Sequence, residues 1–279
     1  AERYRHVAGL LLARPESLQV TVVSAKKGVT DALIELAQLA AKGDEAWREA
    51  WHALRARHRG AAVALLGEQV GETVEWIDAR FDQLAEVLAA LAVIGELPRE
   101  VLDRVQGLGE VFSAQLLGTH LRALGEDCAV LDARDVLVVG HGELGVDVDW
   151  ESSADRLAKW RLRHPQMRLV ATGFVARDRH DRITTLGRNG SDYSGAIFAA
   201  LFNADELHIW TDVDGVLSAD PRLVPEAVQL ESLSYDEACE LAYFGAKVVH
   251  PQTNRRVASP RLRAIDAHCH RCRRAGCIR

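Results

Sequence analysis

The chain has 279 residues, long enough for one large domain or two small ones. Hydrophobic residues at 48% suffice for a sizeable core, charged residues at 27% are typical of a soluble globular protein, and no run of about 18 apolar residues offers a membrane span. A net charge of -6 excludes the basic face of a general nucleic-acid binder. Five cysteines, only Cys128 and Cys239 of them in the body of the chain, point to a reducing compartment and hence to a cytoplasmic protein. The short apolar run near the start lacks a small-residue cleavage site, so no signal peptide is expected.

Residues 1–36 read as helix, strand, loop and helix. Leu18–Ser24 is a β-branched run, Ala25–Thr30 is a polar turn, and Thr30 or Asp31 is expected to cap the helix that follows. Residues 37–126 are helical almost throughout. Trp47, Trp51 and Leu54 share one helical spacing, and Val74, Ile77, Phe81, Leu84 and Leu88 share another. Pro98 suits a first turn and Gly125 a stop. Within Val105–Ser113, Gly107 and Gly109 break the pattern just before Glu110. A carboxylate at such a break can hold an ammonium group. A plain helix start, where acidic residues are favoured anyway, remains the alternative.

Residues 127–253 alternate strands and helices, with strands expected at Arg168–Phe174, Arg182–Leu186 and Glu206–Thr211. This alternation predicts an α/β sandwich around a largely parallel, buried sheet. Gly140–Gly145 spells G-x-G-x-x-G after the strand-like Asp135–Val139. A dinucleotide site would need a helix to open at once, whereas Val146–Asp149 looks extended, so a hairpin is expected. No Walker A motif is present.

Chemistry concentrates further along. Leu186–Ser194 follows a strand and opens a helix, with glycines that allow a tight turn and exposed N–H groups that favour an anion. There Arg188 can pair with a carboxylate or phosphate in two-pronged fashion, and Asp192 can steer a metal or a lysine. In Trp210–Arg222 a strand ends in Asp212, Asp214 and Asp220, a glycine turn and Arg222. In Tyr243–Pro251 Lys247 stands among small residues before an apolar run, within reach of phosphates. Taken singly, these read equally as a capped helix, a solvated turn and a surface lysine.

Together and in this order, the stretches resemble the aspartokinase branch of the amino acid kinase family. Ile209–Val216, Ser218–Arg222, Leu233–Ala238 and Phe244–Thr253 carry the resemblance, and Gly187–Ser194 is similar to the form found in bifunctional aspartokinase/homoserine dehydrogenases. It covers residues 1–253 and implies a three-layer sandwich with a mainly parallel central sheet and the helical segment at 37–126. It also implies an ATP- and Mg²⁺-dependent transfer of phosphate to the side-chain carboxylate of L-aspartate, no membrane or nucleic-acid partner, and a homo-oligomer. By resemblance, Ser24 and Thr30 line the aspartate site and Glu110 holds the amino group. Arg188 clamps a carboxylate, with Ser191 and Phe174 beside it. Thr211, Asp212, Arg222 and Lys247 match nucleotide-site positions, and Asp192 organises the region of the catalytic Lys247. No residue is assigned as a metal ligand.

Three departures accompany the match. The family opens with a strand and a Lys-Phe-Gly-Gly loop, and no such tetrapeptide occurs here. Its absence raises the alternative of a defective remnant that binds aspartate or nucleotide without transferring phosphate. Leu108 and Leu217 stand where the family usually carries His and Tyr. Residues 254–279 are Arg- and Cys-rich, unlike the family, and are expected to form an atypical tail arising from a disrupted reading frame. Their Cys and His spacing matches no closed zinc site.

Overall fold

The computed structural model describes residues 1–14, 18–142, 145–187 and 190–211, and beyond these 218, 224, 226–228, 230, 232–233, 237, 263–268 and 276–278. The chain divides into two compact units, Ala1–Thr185 and Leu186–Arg279.

The first unit opens as the sequence predicts, with α1 (Glu2–Leu12), β1 (Gln19–Val23) and α2 (Val29–Ala41). The expected cap is corrected. Gly28, at φ 74, is the N-cap of α2, no side chain caps the helix, and Thr30 and Asp31 lie inside its first turn. The left-handed glycine turns the chain into the helix one step early, with Val29 N–H donating to the Lys26 carbonyl at 2.9 Å.

Next come α3 (Ala46–Leu66), a 3-10 turn at Gly67–Val70, α4 (Gly71–Ile94), α5 (Arg99–Gln106) and α6 (Leu108–Ala123). Their apolar spacing becomes one core. Leu33, Leu36 and Ala40 of α2 meet Trp47, Trp51 and Leu54 of α3 and Ile77, Phe81, Leu84 and Leu88 of α4. Phe112 of α6 joins them, stacked on Phe81 at 5.0 Å. Pro98 is the N-cap of α5, and Gly125, at φ 91, follows the end of α6.

After α6 the chain runs through β2 (Cys128–Leu131), α7 (Ala133–Val136), β3 (Val138–Gly142), β4 (Gly145–Val148), α8 (Trp150–Arg163), β5 (Arg168–Thr172), β6 (Val175–Asp178) and β7 (Ile183–Thr185). A parallel sheet has the order β1-β5-β2, with Val20 opposite Leu169 and Val130 opposite Val170. A second, mixed sheet has the order β4-β3-β6-β7. In it β3 and β4 pair antiparallel, Gly142 opposite Gly145, so the G-x-G-x-x-G stretch is the expected hairpin.

In the second unit α9 (Gly190–Leu201) leads to β8 (Glu206–Thr211), followed among the described residues by β9 (Ser232–Leu233), β10 (Arg263–His268) and β11 (Gly276–Ile278). β8 and β10 pair parallel, Arg263 opposite Glu206 and His268 opposite Thr211. Part of the Arg- and Cys-rich tail is therefore strand.

Helix α6 lies hard against strands on one face. A Cβ at Gly118 would sit 2.3 Å from Val130 Cγ2, and one at Gly107 would sit 2.4 Å from Val175 Cγ1. Alanine at 118 gains about 1 kcal/mol of helix propensity but overpacks the sheet by about 1–3 kcal/mol. Gly118→Ala is expected to lower the urea midpoint in the wild-type background, and Val130→Ala to recover most of that loss. An unchanged cost in the Val130→Ala background would show that the close approach is not its cause.

Candidate active site

Strands β1, β5 and β2 run parallel, so their carboxyl ends share one edge, where open α/β sheets bind ligands. Val23 is opposite Thr172, and Leu131 is opposite Ala171. The edge is drawn tight by hydrogen bonds: Gly173 N–H donates to the Val23 carbonyl at 2.9 Å, and Ala133 N–H donates to Thr172 Oγ1 at 2.8 Å. Ser24 and Phe174, far apart in sequence, thus leave the ends of adjacent strands.

Phe174 has φ 66, and Val175 N–H closes back onto the Gly173 carbonyl at 2.7 Å. This is a γ-turn through a bulky residue in the left-handed region, a conformation that costs on the order of 1–3 kcal/mol and gathers at functional sites. It also explains why β5 stops at Thr172 rather than running on to Phe174.

Glu110 lies in the first turn of α6 and is only 4% exposed. Two glycines place it there. Gly107 separates α5 from α6. Gly109 lies inside α6 and serves contact rather than breakage: a Cβ there would be 2.6 Å from Ala25 Cβ and 3.3 Å from Val29 Cγ1. The loop after β1 therefore descends onto the helix, and Ala25 N–H donates to Glu110 Oε1 at 3.0 Å. The other carboxylate oxygen, Oε2, is buried with no hydrogen-bond partner among the described residues. Burial pushes the Glu110 carboxyl up to about 7, against the pull of its backbone N–H bonds. A buried carboxylate with one oxygen satisfied and one bare is built to receive a cationic donor.

Thr30, half-buried, follows in the first turn of the helix entered from the same loop. Leu108, at the family's usual His position, packs against the hydrophobic core instead. In the second unit Ser191, half-buried, and Asp192, exposed, stand in the first turn of α9, and Thr211 ends β8. Arg188, Asp212, Leu217, Arg222 and Lys247 lie outside the described residues. Among the described residues no three His, Cys, Asp or Glu side chains converge on a common metal position. Sequence reasoning missed the role of Ala25 and read Gly109 only as a helix break rather than as a point of close approach. A backbone N–H leaves no residue-type signal, and the glycine spacing was legible only as a break.

The family model described as "Amino acid kinase family" matches residues 1–265. The chain belongs to the amino acid kinase family. A similar relative is the chloroplastic bifunctional aspartokinase/homoserine dehydrogenase 1 of Arabidopsis thaliana, 42% identical over 91% of this chain and 28% of its own length. The bifunctional aspartokinase/homoserine dehydrogenase 2 of Escherichia coli is 36% identical over 90% of this chain and 30% of its own. The chain thus spans less than a third of the length of these relatives. Among solved structures, E. coli aspartokinase III in complex with aspartate and ADP superposes with a TM-score of 0.85 at 27% identity, covering 99% of this chain and 61% of that one. The α/β architecture with its parallel sheet is that of the amino acid kinases.

Glu110 ionises near the ordinary 4.5 when unfolded and near 7 when folded, so the folded state holds the extra proton between those values. Its contribution to stability is complete below about pH 4.5 and is lost as pH rises through 7, by roughly 3 kcal/mol. Glu110→Gln is expected to flatten the decline in urea midpoint between pH 5 and 8. A decline as steep as in the wild type would assign it to other groups.

Proposed function

We propose that the protein is an aspartate kinase, transferring the γ-phosphoryl group of ATP to the side-chain carboxylate of L-aspartate, the step that opens lysine, threonine and methionine synthesis. The observation that carries this reading is the bare, buried Oε2 of Glu110 at the carboxyl edge of the parallel sheet. An α-ammonium group supplies the charged donor this oxygen lacks. The bound aspartate and ADP named for aspartokinase III, and the relatives' names, support the same choice of substrates.

In this reading Ser24, Thr30 and Phe174 line the amino acid pocket around Glu110; in the second unit Arg188 is a carboxylate clamp with Ser191 beside it. Thr211, Asp212, Arg222 and Lys247 serve the nucleotide. Asp192, exposed at the start of α9, organises the region of Lys247 and the Mg²⁺ that accompanies ATP. Mg²⁺ supplies charge neutralisation between the phosphates. Phosphoryl transfer asks the protein for alignment and electrostatic relief rather than covalent help. The accepting carboxylate is ionised at neutral pH, so no general base is needed. Among the described residues no helix is long and apolar enough to cross a membrane. The sparse cysteines, with Cys128 buried and reduced, support a reducing compartment such as the cytoplasm, where a homo-oligomer is the assembly the resemblance implies.

Aspartate-dependent ATP consumption, with the acyl phosphate trapped by hydroxylamine, tests the activity, and no trapped product would refute it. Glu110→Ala is expected to weaken aspartate binding by roughly 10- to 100-fold while leaving ATP binding close to normal. Equal losses would contradict the assigned role. Because the ammonium pairs with an ionised Glu110, aspartate affinity in the wild type should fall by up to about tenfold per pH unit below 7.

A further inference from the structure

The loop that brings Ala25 to Glu110 carries a second feature that the aspartate reading does not use. Lys26, the next residue, is half-buried at the carboxyl end of β1. It forms no ion pair among the described residues, and the charge that acts on it most is another cation, Arg57. Arg57 of α3 is pinned across the same loop, its Nη2 donating to the Lys27 carbonyl at 2.6 Å, and it too has no carboxylate partner among the described residues. Beneath them His58 is buried and neutral, its Nδ1 at 2.9 Å from the Leu54 carbonyl, and both cations help to hold it uncharged. Glu110 forms no ion pair with Lys26 among the described residues; its Oε1 accepts from Ala25 N–H instead.

Burial is the larger cost for the Lys26 ammonium, and the neighbouring Arg57 charge, with no counter-charge among the described residues, adds to it. Such an arrangement is relieved when an oxyanion enters, since a charge-assisted hydrogen bond from a half-buried ammonium is stronger than one in water. The loop itself is fixed at both ends, by Ala25 N–H on Glu110 and by Val29 N–H on the Lys26 carbonyl, so the lysine stem is presented from a rigid base.

We propose that Lys26 and Arg57 form an oxyanion-binding rim beside the Glu110 site, Lys26 contacting the anion and Arg57 holding the loop and adding to the field. Resting on the kinase reading, this rim receives either the β-phosphate of the nucleotide or a carboxylate of the amino acid. Lys26 is then a specificity and positioning residue for the transfer.

Calorimetric titration with L-aspartate alone and with ADP alone separates the two sources. Lys26→Met is expected to weaken one of them roughly tenfold or more, Lys26→Glu to weaken it further, and Lys26→Arg to restore it to within about threefold. Loss confined to ADP assigns the phosphate, and loss confined to aspartate assigns the carboxylate. The weakening should also shrink as salt rises, which a merely structural loop change would not produce. Unaltered affinities for both ligands in Lys26→Met and Lys26→Glu would overturn the rim. Glu110→Ala, titrated alongside, keeps the two readings apart: aspartate binding lost there but intact in the Lys26 variants upholds the kinase reading and sinks this one. A wild-type protein that binds neither ligand sinks both.

Discussion

Everything the site offers depends on one contact, the hydrogen bond from Ala25 N–H to the buried carboxylate of Glu110. It joins the loop leaving a strand to the first turn of a helix distant in sequence, and it exists only because Gly109 has no side chain. With a Cβ at 2.6 Å from Ala25 the loop must lift, and the carboxylate would lose a donor while staying dehydrated. The same descent of the loop sets the start of α2 and the position of Lys26. A bare glycine in a helix costs about 1 kcal/mol in propensity. Here the cost is offset by the approach it permits.

Helix α6 is the common support. One of its faces enters the helical core through Phe112 stacked on Phe81, and Gly118 meets the sheet at Val130. Its amino end carries Glu110. Positioning groups built on packed elements hold geometry better than groups on free loops, because shifting one means repacking several interfaces at once. The strained turn at Phe174 fits this arrangement. A left-handed phenylalanine persists only where its surroundings over-determine it, and here the Gly173 N–H bond to Val23 fixes the strand end on which the turn stands.

Much of this was legible in the sequence, for reasons that differ by element. The helices between 37 and 126 were readable because Trp47, Trp51, Ile77 and Phe81 repeat with the period of a buried face. The hairpin at Gly140–Gly145 was readable because Val146–Asp149 alternates rather than opening a helix. The cap of α2 was misplaced at Thr30 or Asp31, since a polar side chain is a visible signal and a left-handed backbone at Gly28 is not. Glu110 was singled out by its glycines, yet its burial and its bare oxygen come from packing against a loop some 85 residues away, which no local pattern records. The carboxyl-edge partnership of Ser24 and Phe174 likewise required the register of β1 on β5.

The electrostatics of the edge follow a division that the chemistry demands. An amino acid with two carboxylates and one ammonium presents both signs of charge within a few bonds, and a phosphoryl donor adds more negative charge. A site of uniform sign would reject one part of that pair. In the proposed aspartate kinase, Glu110, pushed up to about 7 by burial, would answer the positive group without holding a full buried charge beforehand, its proton leaving as the ammonium binds. Lys26 on the loop after β1 and Arg57 of α3 follow the opposite course, remaining cationic without a carboxylate partner among the described residues. A free protein carrying both a protonated acid and unpaired cations is less stable than one with the two paired. In the proposed reading that deficit would be returned when a ligand of the right charge pattern binds, making it a source of discrimination rather than a flaw in packing.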